Sequence, residues 1–229
     1  MLKNIILNAQ KDAIFWLLIF IGFLLILHFC HRLFQPKKYS KKVLANPTEH
    51  TENDAVGIGQ AGENAVFRAL TRTNGRHKKI INDIVLKIGV DRTAQIDHIL
   101  INRAGIFVIE TKNYKGRIYG SSDRLYWCQY LGNRKYNFYN PMKQNRAHVK
   151  RLQEVLGDQY PYYSIVVFAQ NNISHIGIEN VINLKDLTGY IHTHNKKVLK
   201  KTEIRKIYRK LNRIQKKKHN HIFWANDAA

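Results

Sequence analysis

The sequence predicts a mixed α/β domain that follows a single membrane-spanning helix. Three apolar, β-branched runs, Ile80–Ile88, Thr93–Ile101 and Gly105–Lys112, indicate three consecutive strands. Segments with helical spacing of apolar residues precede and follow them, near 62–72 and 143–156. Helices on either side of a run of strands are typical of a mixed sheet covered by helices.

The N-terminal stretch predicts the membrane helix. Ala13–Cys30 (AIFWLLIFIGFLLILHFC) carries no formal charge, and as a helix it would span about 27 Å, close to the thickness of a bilayer core. A cleaved signal peptide is the alternative, but no small-residue cleavage site follows the run. A basic cluster follows instead, which predicts a single-pass anchor over 1–33 in the plasma (inner) membrane with the remainder facing the cytoplasm.

The remaining chain divides into three further parts. Residues 34–56 are polar and basic and predict a linker, 57–190 a folded domain, and 191–229 a basic C-terminal helix and tail. Within the domain, the alternating stretch after Lys115 predicts short strands with a hairpin turn at Gly132-Asn133. Further strands are expected at Tyr163–Gln170 and Val181–Leu187, and a last helix at Lys196–Gln215.

The net charge of +22, from 38 Lys and Arg against 16 Asp and Glu, predicts attraction to polyanions. Twelve of the cations and one Glu lie between His194 and His221. This segment has three open interpretations: a solvated helix face that covers the core, a nucleic-acid clamp, or a contact with anionic lipid. The two cysteines, Cys30 and Cys128, imply no disulfide framework and favour a reducing compartment.

The chemistry of the domain is predicted from the second and third strands. If Ile101 pairs with Ile106 across the intervening turn, Asp97 faces Glu110. Lys112 then lies on the same face as Glu110, because side chains alternate along a strand. Two adjacent carboxylates and an amine indicate a hydrolytic metal site; the alternative is ordinary strand residues joined in ion pairs.

Two other groups of residues have competing interpretations. Gly57–Gly62 fits the GxGxxG pattern of dinucleotide sites, but no strand precedes it, so the pattern favours a helix entry that contacts a phosphate at most. Aromatic residues of the alternating stretch are predicted to pack in the core and hairpins rather than to form a stacking platform: Tyr126, Trp127, Tyr130, Tyr136, Phe138 and Tyr139.

Together these residues resemble the nuclease-related domain, NERD, of the PD-(D/E)xK nuclease superfamily. The resemblance is carried by GxGxxGE at Gly57–Glu63, QIDHILINRAGIFVIETKNYKG at Gln95–Gly116, Trp127, and NPxxQN at Asn140–Asn145. It implies a restriction-endonuclease-like fold of four mixed strands flanked by helices. It departs from the superfamily pattern at Ile96, where the superfamily name has proline.

The resemblance also implies a role for each matching position. Asp97 and Glu110 are similar to the two metal-binding acids, and Lys112 to the lysine that positions the attacking water. Glu63 resembles the helix-borne glutamate at the edge of such sites, and Gln144 the glutamine of RecB-like members.

The expected cofactor is Mg²⁺, with Mn²⁺ as a substitute, because two carboxylates and a backbone carbonyl suit a hard cation that keeps several waters. The carbonyl of Thr111 is the candidate third ligand. The resulting prediction is a membrane-anchored nuclease acting on nucleic acid, DNA rather than RNA. The alternatives are a catalytically idle nucleic-acid-binding module and a membrane scaffold whose basic tail contacts lipid.

Overall fold

The computed structural model describes residues 52–73, 75, 77–88 and 92–226. These residues belong to one compact unit, Thr51–Ala229. The predicted anchor 1–33 and most of the predicted linker 34–56 lie outside the described residues. Within the described part of the chain, no helix is both long enough and apolar enough to cross a membrane.

The fold is mixed α/β, as the sequence predicts. The elements in chain order are α1 (Glu52–Arg72), β1 (Lys79–Ile88), β2 (Arg92–Ile101), β3 (Ile106–Lys112), β4 (Arg117–Tyr119), β5 (Tyr126–Leu131), β6 (Arg134–Tyr139), α2 (Pro141–Leu156), β7 (Tyr162–Phe168), β8 (Val181–Asn183), a 3-10 turn (Leu184–Asp186), α3 (Leu187–Thr193) and α4 (Lys201–Asn226).

Five of the strands form the main sheet, in the order β1-β2-β3-β7-β8. The first three strands are antiparallel neighbours, whereas β3, β7 and β8 run parallel to one another. The parallel pairing of β3 with β7 requires a crossover, and α2 lies in that connection. The sheet is therefore mixed, with β3 at its centre.

Helices cover both faces of this sheet. Side chains of α2 and α4, among them Leu152 and Leu211, pack with Ile99, Ile101 and Val108 on one face. On the opposite face α1 and α3 pack against a second cluster that includes Leu100, Phe107 and Ile109. Residues 99–101 of β2 and 106–109 of β3 alternate between the two clusters, so each central strand is buried on both sides.

The other three strands, β4, β5 and β6, form a separate antiparallel sheet. The turn Gly132-Asn133 joins β5 to β6, as predicted, and Gly132 adopts φ 57°, a left-handed conformation that glycine tolerates at no steric cost. Ile118, Trp127 and Phe138 project from one face of this sheet into a third core cluster with Phe168 of β7. This small sheet is inserted between β3 and α2.

The differences from the predicted elements concern the helices. Helix α1 begins at Glu52, ten residues before its predicted start at Gly62, because Gly57 and Gly59 lower helix propensity without ending the helix. The predicted strand Val181–Leu187 ends at Asn183, and its last residue begins α3, a helix that the sequence did not predict. Helix α4 begins at Lys201 rather than Lys196 and continues to Asn226.

Candidate functional site

The hairpin of β2 and β3 has the predicted register. Ile101 pairs with Ile106, and the ladder continues outward to His98 and Ile109. Asn102 holds the turn: its side-chain oxygen accepts hydrogen bonds from the backbone N–H groups of Ala104 (2.8 Å) and Gly105 (3.3 Å). The next pair outward in this register is Asp97 with Glu110.

Asp97 lies where the sheet loses its regular pairing. The pairing of β2 with β3 ends at His98, the residue next to Asp97. In the pairing of β2 with β1, Asp97 is the only residue of Arg92–Ile101 that has no paired residue. The carboxylate replaces part of the missing pairing, because Oδ2 accepts a hydrogen bond of 2.7 Å from the backbone N–H of Thr111. The side chain and the backbone of β3 are thereby fixed against each other beside the carbonyl of Thr111.

Glu110 and Lys112 form the centre of the site. Glu110 is only 2% exposed, and its Oε1 lies 2.6 Å from the ammonium nitrogen Nζ of Lys112. The same nitrogen donates a hydrogen bond of 3.2 Å to the side-chain oxygen of Gln144 on α2. His148, one turn further along α2, places Nε2 3.4 Å from the second carboxylate oxygen of Glu110. Helix α2 therefore supplies two side chains to the face that carries Asp97, Glu110 and Lys112.

Two buried asparagines hold α2 in this position. Asn140 caps the helix by accepting hydrogen bonds from the backbone N–H groups of Met142 (2.9 Å) and Lys143 (3.4 Å). The Asn145 amide nitrogen lies 2.8 Å from the carbonyl of Val108 on β3 and 2.9 Å from that of Ile165 on β7. Because Asn145 ties the helix to two central strands, Gln144 is held opposite Lys112.

Glu63 approaches the site from the opposite side of the sheet. It lies on α1, and the preceding Gly62 packs against Asn113, where an added Cβ would come within 2.6 Å of the Asn113 Cβ. Asn113 also donates a hydrogen bond of 2.6 Å to the carbonyl of Ile58, which secures α1 at the end of β3. Gly62 thus permits the approach of α1 that brings Glu63 near the other acids.

This arrangement accounts for the glycine pattern. Gly57–Gly62 lies inside a continuous helix that begins at Glu52, so it forms neither a dinucleotide-binding loop nor the helix entry that could contact a phosphate. The sequence argument against a dinucleotide site therefore agrees with the structure, whereas the predicted helix entry at these glycines is wrong. Of its glycines, Gly62 is in close contact, whereas Gly57 and Gly59 have no atoms near the position of an added Cβ.

The pKa values of Asp97 and Glu110 are shifted in opposite directions. Burial raises the pKa of Asp97 to about 7, with a further rise from the charge of Glu110, against opposing effects of the Thr111 N–H and Lys112. Burial also acts to raise the pKa of Glu110, but the adjacent Lys112 and His148 outweigh it and lower the pKa below its ordinary value. Asp97 therefore takes up a proton readily, whereas Glu110 stays ionised.

The same charges shift the pKa values of Lys112 and Glu63. Burial lowers the pKa of Lys112, but the attraction of Glu110 outweighs burial and the pKa is raised above its ordinary value. The pKa of Glu63 is raised by burial first and then by repulsion from Asp83 and Glu110. These interactions connect Glu63 to three of the other predicted site residues, Asp97, Glu110 and Lys112.

The residues present fit a hard divalent cation. Glu110 Oε2 is buried and forms no hydrogen bond that meets normal geometry, although His148 Nε2 lies 3.4 Å away. Asp97 is half-buried, and its pKa is raised by desolvation and by the charge of Glu110, so a cation would stabilise both groups. Among the described residues, no group of three or more His, Cys, Asp or Glu side chains is arranged to hold a metal ion. Two carboxylates with a backbone carbonyl suit Mg²⁺, which keeps several of its own waters.

Sequence reasoning missed three residues near this site. Asp83 on β1 stands opposite Asp97 in the register, has φ 51°, and accepts a hydrogen bond of 2.7 Å from Gln95. His148 and Asn145 are buried polar residues on the apolar side of α2. Their positions gave a signal, since His148 follows Gln144 by four residues, the spacing of neighbours on one helix face.

Comparisons with known proteins identify the family of the chain. The family model described as the nuclease-related domain matches residues 58–169. An uncharacterized protein of Bacillus anthracis is 32% identical over 155 residues, which cover 66% of this chain and 73% of the relative. No solved structure matches the chain. The chain belongs to the nuclease-related domain family, NERD, as its sequence motifs predict.

Proposed function

We propose that this protein is a membrane-anchored, Mg²⁺-dependent nuclease with a restriction-endonuclease-like core, acting on DNA in preference to RNA. The observation that carries the proposal is a pair of linked contacts. Asp97 accepts a hydrogen bond from the N–H of Thr111, the residue after Glu110, and Lys112 donates hydrogen bonds to both Glu110 and Gln144. A buried acid pair is costly unless a cation or a proton compensates it. The family supports a nuclease-like core.

Each residue has a defined part in the proposed hydrolysis. Asp97, Glu110 and the Thr111 carbonyl would hold the metal, which when bound polarises the scissile phosphodiester and acidifies its water. Lys112 remains protonated beside Glu110, so it orients the attacking water and neutralises charge on the phosphate rather than removing a proton. Gln144 fixes the direction of the Lys112 amine. Glu63 stands at the edge of the site, where its carboxylate would add negative charge to the group of acids that would hold the metal.

The test is cleavage by the full-length chain in detergent. Supercoiled plasmid, linear duplex, single-stranded DNA and RNA would be incubated with Mg²⁺, Mn²⁺ or EDTA. Lys112→Ala should reduce the rate by roughly 10²–10³-fold, the size of one lost transition-state contact. Lys115→Ala removes an exposed lysine three residues away and should retain activity. Cleavage that persists in EDTA, or equal activity in both variants, would contradict the proposed site.

A second candidate function is a nucleic-acid-binding module without cleavage. It is favoured by the outer face of α4, which is lined by exposed cations while Ile204, Ile207 and Leu211 are buried: Lys201, Arg205, Lys206, Arg209, Lys210 and Arg213. The buried residues show that α4 covers the core, and the basic face remains exposed, so a polyanion could bind it. DNA retention in EDTA, with no nicking in Mg²⁺ or Mn²⁺, would favour the binding module over the nuclease.

The membrane part of the proposal rests on the sequence of 13–30. We propose that this segment anchors the chain in the plasma (inner) membrane with the domain in the cytoplasm, and that the basic tail 191–229 can contact anionic lipid. Flotation with anionic vesicles tests both statements. Removal of 1–32 should release the protein at high salt, and binding of that truncated chain at low salt should depend on 201–229.

A further inference from the structure

The outward face of the small sheet carries an unusual set of side chains. In the register of β4, β5 and β6, Tyr119 pairs with Cys128, Tyr126 with Tyr139, and Tyr130 with both Arg117 and Lys135. Directly paired residues share a face of a sheet. We name this surface the tyrosine face, after its four tyrosines: Tyr119, Tyr126, Tyr130 and Tyr139.

The tyrosine rings are open to solvent. Tyr119 is 43% exposed, Tyr126 36% and Tyr139 45%, although each lies on a strand of an ordered sheet. The rings meet one another edge-on rather than in stacks: the interplanar angle is 88° for Tyr119 and Tyr130 and 78° for Tyr126 and Tyr139. Tyr119 also meets the His175 ring at 5.3 Å with a tilt of 54°, and Tyr139 is the most exposed of the four tyrosines. The sequence predicts core and hairpin packing for the aromatic residues of this stretch. Trp127 and Phe138 are buried in the core as predicted, whereas Tyr126 and Tyr139 pack on each other across the hairpin and stay exposed.

Cations are interleaved with the rings. Arg117, Arg124 and Lys135 line an open depression of about 380 Å³ together with Tyr119 and Tyr130. The ammonium of Lys135 lies 5.9 Å from the centre of the Tyr130 ring. The segment 117–139 contains four Lys and Arg and one acid, Asp123. The face therefore complements a ligand that is both planar and anionic.

The inner side of the same sheet makes this surface rigid. Gly120 packs so closely on the Trp127 ring that an added Cβ would lie 2.0 Å from it, and the Trp127 indole N–H donates a hydrogen bond of 2.9 Å to the carbonyl of Ser121. Asn140, the cap of α2, donates hydrogen bonds to the carbonyls of Ser121 (3.2 Å) and Arg124 (2.7 Å). The loop that presents Arg124 is thus fixed to the helix that carries Gln144.

The chain places this surface close to the candidate site. Strand β4 begins at Arg117, five residues after Lys112, so their Cα atoms are at most about 18 Å apart. Strand β6 ends at Tyr139, five residues before Gln144. Both connections of the small sheet therefore lead directly to residues of the site.

We propose that the tyrosine face binds single-stranded nucleic acid, with bases stacked on the tyrosines and phosphates held by Arg117, Arg124 and Lys135. Exposed aromatic residues interleaved with cations suit single strands, because every unpaired base offers a flat face whatever its identity. A duplex keeps its base faces covered by neighbouring bases and cannot stack in this way. The inference goes beyond the proposed function, since strand capture requires neither the metal nor cleavage.

The test measures binding in EDTA, where cleavage does not interfere. Full-length protein in detergent is titrated into a fluorescently labelled oligo(dT) of 12 nucleotides, and anisotropy is recorded. Tyr139→Ala and Tyr119→Ala should each weaken binding about tenfold, the equivalent of about 1.4 kcal/mol for one lost stacked base. Tyr139→Phe keeps the ring and should bind as the wild type does, whereas Tyr139→Leu keeps bulk without the ring and should bind as weakly as Ala.

Two further variants separate this surface from other parts of the molecule. Leu131→Ala removes an exposed side chain from the other face of β5 and should leave binding unchanged. Lys150→Ala removes an exposed lysine of α2 and should also bind normally. Because binding is measured in EDTA, a failure of the proposed nuclease activity would not affect this result. Circular dichroism of every variant verifies that the sheet is intact.

Several outcomes would overturn the proposal. One is equal affinity for duplex and single strand with no loss in Tyr139→Ala and Tyr119→Ala, which would assign binding to the basic helix α4. Another is binding in Tyr139→Leu that equals the wild type, which would show that bulk rather than stacking matters. A third is loss of anionic-vesicle binding in the tyrosine variants without any change in oligo(dT) binding, which would make this face a lipid contact.

Discussion

Replacing Asp97 with asparagine should stabilise the metal-free protein above neutral pH. Burial and the charge of Glu110 raise the pKa of Asp97 to about 7 from an ordinary value of 3.8. The folded state therefore binds the proton more tightly than the unfolded state, and the free energy of unfolding falls as pH rises between these values. Asparagine carries no charge, and its side-chain oxygen can still accept the Thr111 N–H.

The size of the effect follows from the shift. A change of about 3 pKa units corresponds to about 4 kcal/mol between the fully protonated and fully ionised limits. Between pH 5 and pH 8 the wild type should lose about 3 kcal/mol relative to Asp97→Asn. For a domain of this size that difference is roughly 6–12 °C in the midpoint of thermal unfolding.

The assay is thermal unfolding of the full-length chain in detergent with EDTA, from pH 5 to pH 8. Comparing the variant with the wild type at each pH removes the contributions of all other titrating groups. Saturating Mn²⁺ at about 100 times its dissociation constant should stabilise the wild type by about 2.7 kcal/mol and Asp97→Asn much less. A stability difference that does not change with pH would refute the argument that Asp97 is a buried, strained acid.

Three further predictions concern packing, protonation and charge. Gly62→Ala should destabilise the protein by about 1–3 kcal/mol, because the new methyl collides with Asn113, whereas Gly59→Ala should stabilise α1 by up to about 1 kcal/mol; urea unfolding distinguishes them. His98 is buried and its pKa is lowered to about 4 from 6.5, so it should contribute about 3 kcal/mol of stability that is lost as pH falls between these values. His98→Gln should abolish that loss in acid unfolding curves, and an unchanged curve would contradict it. If α4 grips phosphates, the logarithm of DNA affinity should fall linearly with the logarithm of salt concentration, and replacing Lys206 with Ala should reduce the slope by about 1.

The central hairpin could be predicted from sequence because its information is local. Alternating apolar residues and the Asn102 turn set the register, and the register alone places Asp97 opposite Glu110. The same logic places Lys112 on that face. Strands β1 and β3 could be predicted from composition alone, because long continuous runs of β-branched residues are typical of strands.

The parts that were missed depend on contacts between distant segments. Helix α1 continues through Gly57 and Gly59 because Val66 and Leu70 bury against the sheet, and no local signal reports that packing. The roles of His148 and Asn145 appear only when α2 crosses over β3. The exposure of Tyr139 likewise depends on which side of the small sheet faces the core. Alternation along the strands shows which residues share a face, but it does not show which of the two faces is buried.

The effects of Asp97 and His98 on the pH dependence of wild-type stability largely cancel. They are neighbours on β2, and burial raises the pKa of Asp97 and lowers that of His98. Between pH 4 and 6.5 the Asp97 contribution falls by about 1.4 kcal/mol per pH unit while the His98 contribution rises by a similar amount. We therefore expect wild-type stability to vary little with these two groups, Asp97→Asn to become more stable as pH rises, and His98→Gln to become less stable. The double variant should return to the shallow wild-type profile, and a steep slope in it would show that the two groups do not act independently.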